Sequence, residues 1–253
     1  MKFRTSHYYP SRRSVTLADN MVVTSQPLAA QAGLSMLAKG GNAADAAIAT
    51  AIALTVVEPT GNGVGSDAFA ILWDGKELHG LNASGRSPSE WLPQRFAGLD
   101  EMPMYGWESV TVPGAVSAWV SISERFGKLP FETLFKPAIS YAQSGFIVSP
   151  KIAQLWALGL GLLSKQPGFM EHFAPNGQTP QAGERFSNPS LAQSLSLIAE
   201  TRGKAFYQGA LAQAIVASSK AHGGALTLND LAAHKPDWCG TISKGFDDVI
   251  LHE

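Results

Sequence analysis

The chain is 253 residues long, 45% hydrophobic and 15% charged, well under the roughly one quarter charged that soluble domains usually carry. Nineteen basic against twenty acidic residues give a formal charge of −1 with no run of like charge, so neither nucleic acid nor an anionic membrane is an expected partner. Cys239 is the single cysteine, which excludes an internal disulfide and favours a cytoplasmic setting.

The opening MKFRTSHYYPSRRSV is positively charged but no apolar run follows it, so no secretory signal is expected. Residues 15–25 predict a strand pair, VTL and MVVTS, about a turn at Ala18, Asp19 and Asn20. Pro27 suits the first position of a helix, where its missing N–H would be unpaired anyway. That helix is predicted to reach Lys39 and stop at Gly40 and Gly41. Asn42 then caps a second helix over residues 43–57, with Asp45 three positions on. It is alanine-rich and apolar nearly all round, so it belongs inside the protein. At about 15 residues it is too short to cross a bilayer.

The segment EPTGNGVGSD ends that helix and forms a glycine-rich turn. Residues 68–73 predict a buried strand, Asp74 and Gly75 a hairpin turn, and residues 77–83 the returning strand. From Pro113 the pattern turns helical, over 114–127, 131–145 and 151–163. A polar loop is expected over 168–184, then helices over 189–201 and 205–222. Thr227 and Asp230 make a capping box for a last short helix. Residues 240–253 read as two strands about a turn at Gly245. The ending GFDDVILHE stops in strand-like sequence, and an open strand edge is a liability that natural domains avoid. The C-terminus is therefore expected to be a truncation. In outline, sheet and buried helices occupy 15–112, a mainly helical part 113–235, and the start of further strands 236–253.

The loop Gly61-x-Gly63-x-Gly65 is a candidate phosphate cradle or, alternatively, a tight helix-to-strand turn. A dinucleotide fingerprint runs strand, glycines, helix; here a helix precedes the glycines and a strand follows. Arg86, beside Asn82, Ser84 and Ser87, is a candidate carboxylate clamp, since a guanidinium can make two parallel hydrogen bonds to one carboxylate. A surface arginine near a turn fits the same pattern. The six histidines are scattered and form no HExxH or ligand cluster with Cys239, so no metal site is expected. No G-x-S-x-G elbow and no S-x-x-K occurs. Cys239 reads as a small buried hydrophobe rather than a nucleophile. The residues alone thus predict a layered α/β protein with no complete catalytic set.

Three blocks in order resemble a known family. MVVTSQPLAAQAGLSMLAKGGNAADAAIATAIALTVVEPTGNGVGSDAFAILWDG is similar to the opening of the gamma-glutamyltransferase family. SVTVPGAVSAWVSISERFGKLPFETLFKPAISYAQSGFIVSP and TLNDLAAHKPDW resemble its next two blocks. The resemblance implies the αββα sandwich of an N-terminal-nucleophile hydrolase, of which this would be the N-terminal, large-subunit part. It implies a precursor that cleaves itself, freeing an N-terminal threonine that attacks a gamma-glutamyl amide, with its own α-amino group as base. It implies no metal or organic cofactor, a complementary C-terminal half as partner, and a gamma-glutamyl substrate such as glutathione.

No residue of this chain matches the catalytic threonine segment; Thr5, Ser6 and His7 look alike but precede the first predicted strand. Arg86 matches the family arginine that holds the glutamyl α-carboxylate, with Ser84 beside it as a second substrate-binding candidate. Two departures stand out. Ser84-Gly85-Arg86-Ser87-Pro88 replaces Phe-Arg-Glu, and Ser66-Asp67 replaces two further glycines. Related acylases act on other side-chain amides, such as glutaryl-type cephalosporins, and form the first alternative. A non-catalytic remnant acting as a binding module is the second.

Overall fold

The computed structural model describes residues 15–253. In chain order it has helices α1 (Pro27–Ala38) and α2 (Ala43–Val57), then the hairpin of β1 (Ala68–Trp73) and β2 (Leu78–Ala83). Two short 3-10 turns, Pro93–Phe96 and Trp107–Ser109, precede helices α3 (Ala115–Phe126) and α4 (Phe131–Ser144). Strand β3 (Phe146–Ile147), helices α5 (Pro150–Leu163) and α6 (Phe169–Phe173), strand β4 (Arg185–Phe186) and helix α7 (Pro189–Glu200) follow. The chain continues through α8 (Lys204–Gln208), α9 (Ala210–Ala221), α10 (Leu228–Ala233) and strands β5 (Asp237–Trp238), β6 (Ser243–Phe246) and β7 (Val249–His252). It divides into two compact units, one of Leu134–Gln193 with the chain up to Asn62, the other of Gly63–Thr133 with Ser194–Glu253.

In the first unit, Pro27 opens α1 as expected, and the Gln26 side-chain oxygen accepts the N–H groups of Leu28 and Ala29. Gly40, at φ +83°, ends the helix. The Asn42–Asp45 capping box is formed in both directions. Eleven residues of α2 are buried, Ile48, Ile52 and Val56 among them. Gly33 is where α1 meets α2: a Cβ there would lie 2.3 Å from Thr50 Oγ1 and 2.9 Å from the Ala46 carbonyl. Strands β3 and β4 pair antiparallel, Phe146 opposite Phe186, and the Trp156 ring meets Phe186 edge-on at 4.7 Å.

In the second unit β1 and β2 pair from Ala68↔Ala83 to Trp73↔Leu78, and β5 adds to the far side of β2. The turn is closed by Asp74 Oδ1, which accepts the N–H groups of Lys76 and Glu77. Val112, Ala212, Leu226 and Leu231 form a buried cluster with Trp107 and Tyr207 against it.

Several expectations are corrected. Residues 15–25 form no strand; Val15 and Leu17 are 87% and 90% exposed, and a strand without a ladder partner has nothing to hold it. β1 is not the buried strand expected: alternate side chains of a strand point to opposite faces, and one face leaves Phe69, Ile71 and Trp73 exposed; β2 starts at Leu78 rather than at 77. The expected loop over 168–184 contains α6, whose Phe169 and Phe173 rings stack at 5.8 Å. The single helix expected over 205–222 breaks at Gly209, whose φ of −120° and ψ of −149° are not helical. The last hairpin turns at Asp247 (φ +50°), not at Gly245, which pairs with Ile250 inside β6–β7. Aspartate tolerates the left-handed region better than most residues. The stretch with Thr5, Ser6 and His7 lies outside the described residues.

Candidate active site

Strand β2 ends at a loop whose geometry is set by side-chain and backbone bonds. Asn82 Oδ1 accepts both the N–H and the hydroxyl of Ser84, each at 2.8 Å. The Gly85 N–H donates to Asp67 Oδ1 at 3.2 Å. The Arg86 carbonyl accepts the Val112 N–H at 3.0 Å. At Gly85 an ideal Cβ would sit 1.5 Å from the Val112 carbonyl oxygen, so a side chain there needs the backbone to move. Arg86 is thereby tied through its own carbonyl and through the N–H of the preceding Gly85. Its side chain is exposed and has no hydrogen bond or ion pair among the described residues. Ser84 is exposed too, with its proton committed to Asn82.

The glycine turn serves this loop. Ser66 Oγ accepts the Gly63 N–H at 3.0 Å, and the Ser66 carbonyl accepts the N–H groups of Gly114 and Ala115 at 3.1 and 2.8 Å. Gly114 caps α3 without a side chain, so Ser66 supplies an acceptor for the free donors of that helix start. The glycine loop forms a turn in which none of Gly61, Gly63 and Gly65 is left-handed, and no atom lies closer than 3.8 Å to where their Cβ atoms would stand.

Beneath this loop is a polar cluster that sequence reasoning missed. The Ser117 hydroxyl donates to the Gly114 carbonyl at 2.6 Å and lies 2.9 Å from His234 Nε2. A hydroxyl has one proton; since Ser117 gives it to a carbonyl, His234 is the donor and its Nε2 is protonated. Such an imidazole cannot take the serine proton, so this is a structural pair and not a nucleophile with its base. The Tyr207 oxygen accepts the Ser117 N–H at 3.0 Å and its hydroxyl donates to the Pro113 carbonyl at 2.9 Å. Its ring stacks on His234 at 5.4 Å. Burial pushes the Tyr207 hydroxyl up to about 12, so it keeps its proton. Burial also holds His234 below its ordinary value; Arg86 adds to that, while Asp67 and Asp237 oppose it. His234 therefore feels both charges of the loop above. Ser117 and His234 are 117 positions apart, and no local pattern announces the pair.

One group has metal-ligand residue types. Side-chain atoms of Asp74, Glu77 and His79 lie within 4.8 Å of one another. Arg125 NH2 is 3.0 Å from His79 Nδ1. Arginine can only donate, so Nδ1 accepts and Nε2 carries the proton, which goes to Asp74 Oδ2 at 2.9 Å. Both ring nitrogens are engaged, and the residues do not fit an ion in this arrangement. Arg125 lies 5.0 Å from the Phe126 ring centroid and 4.6 Å from that of Trp238, which makes the cluster a clasp at the turn end of the hairpin. Cys239 is exposed rather than buried: its N–H pairs with the Gly80 carbonyl as β5 ends, and the chain turns at Gly240 (φ +73°). No helix of the described residues is long and apolar enough to cross a membrane.

Comparison with known proteins places this geometry. The chain is 38% identical over 244 residues to the glutathione hydrolase-like YwrD proenzyme of Bacillus subtilis (strain 168), covering 95% of this chain and 46% of that protein. It superposes on the crystal structure of cephalosporin acylase from Bacillus halodurans with a TM-score of 0.91 and 45% identity, over 97% of this chain and 48% of that one. On Helicobacter pylori gamma-glutamyltranspeptidase the TM-score is 0.90 at 26% identity, covering 95% and 71%. The chain thus spans about half the length of the curated relatives it matches. The expected N-terminal-nucleophile hydrolase-type fold, mixed helix and sheet, is the fold it shares with these structures. The profile of the family described as gamma-glutamyltranspeptidase matches residues 29–253, and the chain belongs to that family.

Proposed function

We propose that this chain is the large-subunit part of an enzyme that cleaves gamma-glutamyl amides, with glutathione or a similar amide as substrate. The nucleophile is an N-terminal threonine supplied by a complementary C-terminal part. Arg86 holds the α-carboxylate of the substrate, and Ser84, two residues before it in the same loop, is a second substrate contact. The observation that carries this reading is the exposed guanidinium of Arg86, without a partner among the described residues, on a backbone tied at both flanks. A carboxylate entering a partly dry cleft needs a cationic donor, and charge-assisted bonds contribute about 1.5–3 kcal/mol.

The test reunites the chain with a complementary small subunit and uses a chromogenic gamma-glutamyl anilide. Arg86→Ala is expected to lower kcat/KM by about 10- to 150-fold. Most of the loss will appear in KM, because the contact exists in ground and transition states alike. Arg86→Lys will recover only part, since an ammonium lacks the two-pronged geometry. A substrate without the α-carboxylate will not respond to either change. Unaltered kinetics in Arg86→Ala overturn the clamp.

A second reading, an acylase for another acyl group, is favoured by the 45% identity to the cephalosporin acylase and by the serine–glycine frame around Arg86. A panel of gamma-glutamyl and glutaryl amides separates the two by which acyl group is hydrolysed.

A further inference from the structure

A cleft of about 460 Å³ opens among α3, α8 and the segment after α10. Its walls carry Arg202, Lys204 and Lys235 against a single carboxylate, Glu124. Three positive charges less one negative leave two in excess, in a chain whose formal charge is −1. Glu124 meets Arg202 at 3.5 Å with both side chains about half exposed, a pairing that contributes little in water. Neither Lys204 nor Lys235 has an acidic partner among the described residues. Arg202 holds a left-handed backbone at φ +49°, and its guanidinium lies 5.4 Å from the Phe131 ring centroid, which helps to fix its position. Ser121 adds a neutral donor: its oxygen accepts the Trp238 indole N–H at 2.9 Å, leaving its own proton to give.

We propose that this cleft binds a compact anion with at least two negative charges, carried on phosphate or carboxylate groups. Like charges gathered in a concavity repel one another and raise the local field, and an anion relieves both. The volume suits a small metabolite. The lining also includes Ser117, Tyr207 and His234, the cluster that pins the start of α3 beside the Arg86 loop. An occupant would therefore touch the support of the proposed clamp without entering it.

The chain, reunited with its complementary part, is titrated with pyrophosphate and with citrate at fixed ionic strength, with chloride as the monovalent control. Calorimetry gives affinity, and amide chemical shifts give location. Saturable binding is expected, with shifts centred on Ser121, Arg202, Tyr207 and His234. Lys204→Glu/Lys235→Glu is expected to weaken it at least tenfold, the loss that follows from about one charge-assisted contact. Saturation by pyrophosphate alone, or by citrate alone, supports the site and identifies the charged group it takes. Both lysines are exposed, so the melting temperature without ligand is expected to stay unchanged; should the double variant misfold, Lys235→Gln gives the same comparison without charge reversal. Failure of both anions to saturate overturns the proposal. So does equal affinity in the charge variants, or an equal loss in Lys39→Glu, which lies in the other unit.

Discussion

Two residues outside the proposed clamp carry sharp consequences. Asp74 accepts hydrogen bonds from His79 and from the Glu77 and Lys76 N–H groups, and these lower its pKa from 3.8 to about 2. A carboxylate whose folded value is depressed stabilises the fold above its unfolded value and loses that contribution as pH falls through the folded one. The stability deficit of Asp74→Ala is thus expected to be full at pH 7 and to narrow between pH 4 and pH 2. Urea midpoints of both proteins across that range check it; a deficit constant with pH contradicts the hydrogen-bond account. Gly85 is the other. A methyl group there meets the Val112 carbonyl oxygen at 1.5 Å, and backbone must shift to admit it. Gly85→Ala is expected to displace the Arg86 loop. In the reunited enzyme its KM for the gamma-glutamyl anilide will rise toward that of Arg86→Ala, whereas Ser87→Ala, at an exposed position, will leave KM near wild type.

At the scale of elements, caps and close approaches decide. Asn42→Ala removes the side-chain acceptor of the Asp45 N–H and is expected to cost about 1 kcal/mol of stability, the usual loss for such a cap. Asn42→Asp, which keeps an acceptor, will recover most of it in the same denaturant series. Gly33→Ala tests the α1–α2 contact. Its Cβ meets the Thr50 hydroxyl and also the Ala46 carbonyl, and overpacking of this kind costs about 1–3 kcal/mol. Combining it with Thr50→Ala will relieve only part of the loss, because the backbone contact remains. Both caps were legible because Asn-x-x-Asp and Thr-x-x-Asp satisfy orphan donors within three residues. The break at Gly209 was not, because apolar spacing runs on through 205–222 and α9 resumes one residue later.

At the scale of the molecule, β1 exposes Phe69, Ile71 and Trp73 on one face, and β6–β7 exposes Phe246, Val249, Ile250 and Leu251. Contiguous apolar surface of this sort favours association. The chain by itself is expected to form oligomers in sedimentation velocity, and co-expression with the complementary part to yield one discrete species. A monodisperse monomer that melts cooperatively would count against a covered surface at these strands. The same preparation is expected to show no turnover of a gamma-glutamyl anilide above a heat-killed control. Ser117, the hydroxyl beside a half-buried imidazole, faces a histidine nitrogen that already holds a proton.

By itself the sequence determined the helices α1 to α5, the β1–β2 hairpin, both capping boxes and the family. Each depends on neighbours a few positions apart, or on long ordered blocks, and both kinds of signal survive in a linear string. It also placed Arg86 at the end of a strand. Only the tertiary structure decided that residues 15–25 have no ladder partner among the described residues, that Cys239 faces solvent, and that the glycine turn serves as an acceptor for α3. It alone set His234 under the Arg86 loop and Arg125 against His79, 46 positions apart. Those outcomes turn on which distant groups meet and which donors are already taken, and a one-dimensional pattern carries no record of either.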